Sequence, residues 1–290
     1  MIIKSKPLTK LEFCNFANRT SIAIEENGLT QHTMIEIGKY NDLRIVAKNS
    51  DGLSLSDGNR EILLPYIYVP QNVELGDNIK VFVFVNKDGN TVATTQQAFA
   101  EVDDFAFLTV VDANDDGAYL DLGIGKDVYV PTREQKRMME IGESYAVYIY
   151  LDESNNRMLA SSRLDKFVDE EDFDFDEGDE VSLLITEKTD LGYNAIINNK
   201  NIGLLYHNEL FANLKPGERR KGWIKKVRVE GKIDLTLQPT GFGHILDTKE
   251  VILKELREQG GVIALGDKST PDEIYDYFQV SKSAFKKAIG

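Results

Sequence analysis

Between Lys39 and Leu237, apolar and polar side chains alternate in short runs, the two-residue period of strands with one buried face. The runs repeat. Three times a turn carrying Gly52, Gly117 or Gly192 precedes an alternating run, and an apolar run then ends near Pro65, Pro131 or His207. A second glycine (Gly76, Gly142, Gly217) follows the first by 24, 25 and 25 residues and opens a longer alternating run: Asn78 to Asn86, Ser144 to Asp152 and Arg219 to Val229. Tight turns at Lys87-Asp88-Gly89-Asn90, Glu153-Ser154-Asn155-Asn156 and Glu230-Gly231 lead into Thr91 to Thr95, Arg157 to Ser161 and Lys232 to Leu237. Such turns between alternating runs signal hairpins.

Adding the opening runs, near Lys39 to Lys48, Ala106 to Asp112 and Glu180 to Lys188, gives five strands per copy. Five short strands in about 65 residues predict a small five-stranded barrel of the OB type. The third copy runs Asp190-Leu191-Gly192-Tyr193, Gly203-Leu204-Leu205-Tyr206-His207, Leu214-Lys215-Pro216-Gly217-Glu218 and Gly231-Lys232-Ile233-Asp234-Leu235-Thr236-Leu237, and it resembles an S1-type RNA-binding domain. Copies one and two depart from that pattern: Gly52-Leu53-Ser54-Leu55 lacks the aromatic, and prolines stand where the third copy has its histidine.

After Pro239 the period becomes helical, with Ile245, Val251, Ile252 and Leu256 on one stripe that stops at Gly260-Gly261. Ser269-Thr270-Pro271-Asp272-Glu273 predicts a helix start, with Thr270 as cap, Pro271 at the first helical position and Glu273 closing a capping box. Ser281 reads as the cap of a second helix carrying Ala284, Phe285, Ala288 and Ile289, which is helix-turn-helix grammar. A winged helix would add a hairpin after that helix, and Gly290 ends the sequence before one. Three S1-type copies followed by Asp267 to Ile274 and Ser281 to Gly290 resemble the bacterial conserved virulence factor B family. That resemblance implies a mostly β chain of three tandem barrels plus a small α-rich winged-helix-like domain, and a role in RNA binding and gene expression. The expected divisions are an unassigned extension over 1–33, barrels over 34–99, 100–166 and 177–240, an acidic linker over 167–176, and the helical domain over 241–290.

A net charge of −14 argues at first against a nucleic-acid partner. The distribution reverses that. Residues 1–175 hold 17 basic and 30 acidic side chains, while Arg219 to Lys232 carries seven basic residues against the single acid Glu230. Nine carboxylates in twelve residues, Asp169 to Glu180, read as a solvated linker; the sharper reading is a nucleic-acid mimic that screens the basic strand. The lone Cys14 precludes an intramolecular disulfide, the easiest fit being a reducing cytoplasm, and three scattered histidines offer no metal spacing. Asp112 to Asp116 misses the EF-hand order and reads as a turn. No apolar run approaches a membrane span, and no nucleophile elbow, phosphate loop or zinc signature suggests an enzyme or a cofactor.

Single-stranded RNA is the expected partner, bound chiefly by the third copy. Tyr193, Tyr206 and Trp223 are candidates for base stacking, with core packing the alternative for each; the S1-type resemblance implies that Tyr193 stands on the open face of the barrel. His207 matches the histidine of the S1-type third strand, which makes it a candidate for phosphate or base, with a structural role the alternative. Arg219, Arg220, Lys221, Lys225, Lys226, Arg228 and Lys232 are candidates for the phosphate backbone, although strict alternation sends Lys225 and Lys226 to opposite faces. Tyr119 and Tyr129 form a weaker site in copy two, and Lys282, Lys286 and Lys287 a second surface. The last helix lacks Arg, Asn and Gln for bidentate base reading, so sequence-specific DNA binding is disfavoured. The competing reading is a scaffold that docks ribosomal or transcription components through its acidic N-terminal copies; protein partners are not legible.

Overall fold

The computed structural model describes residues 13–15, 20–25, 28–169, 173–210, 213–228, 230–238, 242–266, 268–278, 280 and 282–289. Within the extension, β1 (Phe13–Asn15), β2 (Thr20–Glu25) and β3 (Gly28–Thr33) form an antiparallel three-stranded sheet. Three closed five-stranded barrels follow. Barrel 1 is built from β4 (Tyr40–Lys48), β5 (Gly52–Ser56), β6 (Glu61–Pro65), β7 (Asn78–Val85) and β8 (Thr91–Thr94). Barrel 2 comprises β9 (Phe105–Asn114), β10 (Gly117–Asp121), β11 (Asp127–Pro131), β12 (Ser144–Leu151) and β13 (Met158–Ser161). Barrel 3 comprises β14 (Glu180–Lys188), β15 (Gly192–Ile197), β16 (Asn201–Tyr206), β17 (Arg219–Val227) and β18 (Ile233–Thr236). Each closes by pairing its third strand in parallel with its fifth, Leu63 to Val92, Tyr129 to Leu159 and Gly203 to Ile233.

The repeated glycines have a steric cause. A Cβ on Gly52, Gly117 or Gly192 would stand 2.0, 2.4 or 1.8 Å from the carbonyl oxygen of Leu64, Val130 or Leu205 on the next strand, closer than any side chain tolerates. The second glycine of each copy has φ of 98°, 87° and 90°, and its N–H donates to the first strand, to Ile45, Val110 and Ile185. Inward residues then fill each barrel: Leu43, Leu53, Leu64 and Val81 in the first, Leu183, Ala195, Leu205, Ile224 and Leu235 in the third.

The chain divides into two compact units, one of Met1–Asp104, Val111–Arg133 and Ile149–Ala160, the other of Phe105–Val110, Glu134–Tyr148 and Ser161–Gly290. In the second unit, Leu184 and Ile196 point outward from barrel 3 and are buried against Phe105, so β14 is apolar on both faces.

The helices are α1 (Phe242–Glu258), α2 (Pro271–Phe278) and α3 (Lys282–Ile289). Gly260 and Gly261 turn left-handed after α1, and the Gly261 N–H caps the Leu256 carbonyl at 2.6 Å. The capping box forms as expected: Glu273 accepts from the Thr270 N–H at 2.7 Å and Thr270 Oγ1 from the Glu273 N–H at 3.2 Å. Ile252, Ile274, Phe278 and Phe285 make the core of this domain. The expected cap Ser281 and acidic residues 170–172 lie outside the described residues.

Candidate nucleic-acid interface

Strand register decides which aromatics face outward. In all three barrels the first glycine of the second strand pairs with the last residue of the third: Gly52 with Pro65, Gly117 with Pro131, Gly192 with Tyr206. Counting one residue on from that glycine gives Leu53, Ala118 and Tyr193, all buried. Counting two gives Ser54, Tyr119 and Asn194. Tyr193 is therefore not on an open face, as its sequence position suggests; it is 5% exposed, within the core of barrel 3. The S1-type pattern implies the opposite face, and one residue of phase along a strand decides between the two.

His207 is exposed beside this core. Its ring meets Tyr193 edge to face at 5.3 Å, and Nε2 donates to the Thr189 carbonyl at 3.0 Å, so it fastens the turn ahead of β15. Tyr206 lies half-buried in a separate group. Arg228 Nη2 donates to its hydroxyl at 2.7 Å, and Arg228 also grips Asp234 through Nε and Nη2 at 3.0 and 2.8 Å. The Asp234 hydrogen bond and charge hold the Arg228 guanidinium above its ordinary pKa. Asp234, which sequence reasoning passed over, organises this trio.

The basic strand departs from simple alternation. β17 shifts register between Ile224 and Lys226 where it pairs with Leu235 and Asp234, and this bulge leaves Lys225 and Lys226 both exposed instead of on opposite faces. Its charge is largely engaged. Arg220 pairs with Glu218 at 2.9 Å, Lys221 with Glu180 at 2.7 Å, and Lys225 with Glu209, while Arg219 donates to the Phe105 carbonyl at 3.3 Å. Lys226 and Lys232 have no carboxylate partner among the described residues. Trp223 is half-buried, opposite Glu180 and Thr236. The described end of the acidic run lies along this strand, with Glu177 accepting from the Val227 N–H at 3.3 Å. Exposed pairs of this kind are held weakly, because solvent screens both charges.

Barrel 2 presents what barrel 3 lacks. Tyr119 on β10 and Tyr129 on β11 are direct cross-strand partners with ring centroids 5.0 Å apart, both partly exposed. They line a cleft of about 930 Å³ that also takes in Arg133, Arg157 and Lys126. The Tyr129 hydroxyl donates to the Asp116 carbonyl at 2.7 Å, which fixes its ring. Lys126 donates to the Val85 carbonyl and sits 5.3 Å from the Phe84 ring centre; burial, and then the Arg157 charge, push its amine down to about 8. Strands two and three with the flanking loops are the face on which OB barrels take oligonucleotides. Asp112 to Asn114 end β9 and Asp115–Asp116 form the β9–β10 turn, with Asn114 Oδ1 accepting from the Asp116 and Gly117 N–H groups at 3.0 and 3.1 Å.

In the helical domain, Lys286 and Lys287 are exposed on α3 and Lys282 is half-exposed at its start. Among the described residues no His, Cys, Asp and Glu cluster could hold a metal ion, and no helix is long and apolar enough to cross a membrane.

The chain matches the S1 domain over residues 37–96 and 105–162, and the CvfB-like winged helix domain over 250–290. The S1 matches fall on the two copies whose sequences depart more from the S1 pattern. YitL of Bacillus subtilis is 28% identical over 264 residues, 87% of either chain. Conserved virulence factor B of Staphylococcus epidermidis is 25% identical over 229 residues, 75% of either chain. A crystal structure of a multidomain protein with nucleic acid binding domains from Streptococcus pneumoniae aligns over 88% of this chain and 92% of its own, at 20% identity and a TM-score of 0.40. With S1 domains in barrels 1 and 2, a third barrel of the same topology and a CvfB-like winged helix domain at its C-terminal end, the chain belongs to the conserved virulence factor B family.

Proposed function

We propose that this protein binds single-stranded RNA without catalysing a reaction on it, and acts in the cytoplasm as a regulator of gene expression. The observation that carries the reading is the Tyr119 and Tyr129 pair, two partly exposed rings on the oligonucleotide face of a closed barrel, with Arg133 and Arg157 in the same cleft. Base stacking on such rings is worth about 1–3 kcal/mol per base and tolerates any sequence. Barrel 3 contributes cations more than rings: Lys221, Lys225, Lys226, Arg219 and Arg220 on β17, with Trp223 among them. Lys286 and Lys287 on α3 add a third set of positive charges. Several weak contacts on one chain raise overall affinity through effective concentration, which suits shallow binders of unpaired strands.

Fluorescence anisotropy with a labelled single-stranded RNA, the matching DNA and the RNA duplex tests this. The single strand should bind with strong salt dependence, and the duplex and DNA more weakly. Absence of RNA binding at low salt, with protein partners that still copurify after nuclease treatment, would transfer the case to a docking scaffold.

A further inference from the structure

Barrel 1 is poorly equipped to hold a nucleic acid by itself. Its cross-strand pair equivalent to Tyr119 and Tyr129 is Ser54 and Leu63, neither of which offers a ring to stack on. Its β7–β8 turn nevertheless reaches the cleft of barrel 2, where Asn86 and Lys87 line the same space as the two tyrosines. Two ties fasten it there. Arg157 Nη2 donates to the Lys87 carbonyl at 3.1 Å, and the Lys126 amine donates to the carbonyl of Val85, at the end of β7. The turn is also shaped from within: Asn86 Oδ1 accepts from the Asp88 and Asn90 N–H groups at 3.0 and 2.9 Å, and Gly89 takes a φ of 85°.

The Lys87 side chain is exposed at this rim. Burial, then the Asp121 charge, raises the Asp127 carboxyl above its ordinary pKa, and Lys87 opposes that rise, so its ammonium acts on the cleft. Basic and acidic side chains are equal in number around the cleft, and losing Lys87 would make it net acidic.

We infer that the β7–β8 turn of barrel 1 is one wall of the barrel 2 site, and that Lys87 meets the phosphate of a nucleotide whose base stacks on Tyr119 and Tyr129. The two barrels then bind one short single-stranded segment as a unit. The inference rests on the nucleic-acid function proposed above.

Anisotropy titrations of a labelled single-stranded RNA octamer against the full chain, repeated over a range of KCl, test it with Lys87→Ala, Lys87→Glu, Lys48→Ala and Tyr119→Ala. Lys48 is the control, an exposed cation at the end of β4 beside barrel 1's own loop. Lys87→Ala should weaken binding about fivefold and lower the salt slope by about 0.7, with Lys87→Glu weaker still and Lys48→Ala unchanged. If Tyr119→Ala weakens binding while both Lys87 variants match the parent, the wall is refuted and the RNA function stands. Equal losses from Lys48→Ala and Lys87→Ala would also refute it, because they would report only the general field of barrel 1. If none of the four alters affinity, the barrel 2 site itself falls, and the inference with it.

Discussion

Replacing Tyr193 or Tyr119 by alanine removes the same side chain from two barrels, and the structure assigns the two changes opposite outcomes. Tyr193 is 5% exposed and packed among Leu205, Ile224 and Leu235, so Tyr193→Ala leaves a ring-sized hole in barrel 3. Deleting a buried aromatic costs about 3–5 kcal/mol, a large share of the roughly 5–15 kcal/mol that holds a domain together. The assay is supplied by the chain. Its one tryptophan, Trp223, lies on β17, so tryptophan fluorescence during urea unfolding reports on barrel 3. At a slope of about 1 kcal/mol per molar urea for so small a module, the Tyr193→Ala midpoint should fall by about 3–5 M or the barrel should be unfolded from the start. Tyr119→Ala should leave that transition in place and instead reduce affinity for single-stranded RNA roughly 5- to 150-fold, the equivalent of about 1–3 kcal/mol of stacking. A Tyr193→Ala protein with an unmoved Trp223 transition and a loss of RNA affinity like that of Tyr119→Ala would overturn the register argument.

Lys126 is expected to titrate in the folded protein near pH 8 against an ordinary 10.5. The unfolded chain then holds more protons between those values, so stability should rise with pH from about 8 to 10.5. The full shift corresponds to at most roughly 3 kcal/mol, which partial exposure screens to about 1; thermal melts of the parent should show that rise, and melts of Lys126→Met should not. Thr270→Ala removes the cap of α2 and should cost about 1 kcal/mol within the helical domain, read by loss of helical circular dichroism at a lower temperature, with the barrel 3 transition seen by Trp223 unaffected. The triple change of Arg219, Arg220 and Lys221 to alanine should lower RNA affinity and flatten its salt dependence; a salt slope equal to the parent's would remove β17 from the interface.

The barrels were legible because their grammar is local. Paired glycines, alternating runs and hairpin turns each have a short-range cause, seen in the carbonyl that leaves no room for a Cβ on Gly192 and in the positive φ of Gly217. The helix start at Thr270 was legible for the same reason, since cap and capping-box residues are three positions apart. The site was less legible because it depends on phase and on distant partners. Tyr193 and Tyr119 stand one and two residues after their glycines, and only the cross-strand register shows which faces inward. The bulge beside Ile224 could not be read from a strand that otherwise alternates, and it changes where Lys225 and Lys226 point. Glu180 and Glu209, which engage Lys221 and Lys225, lie on other elements, and Glu218, which engages Arg220, stands just before the strand, so a charge count along β17 overstates its free charge.

The parallel pairing that closes each barrel also sets an order of events during synthesis. Strands one to four can assemble through neighbouring antiparallel contacts, but the third strand waits for the fifth: β6 for β8, β11 for β13, β16 for β18. Until that last strand leaves the ribosome the nascent sheet has two open edges, the state most prone to mispairing. Each of the closing strands is only four residues long, too short to offer a lasting template to a neighbouring copy. A stop or a ribosomal pause just before Thr91, Met158 or Ile233 is therefore the point at which this chain is most exposed to exchanging a strand between its own repeats.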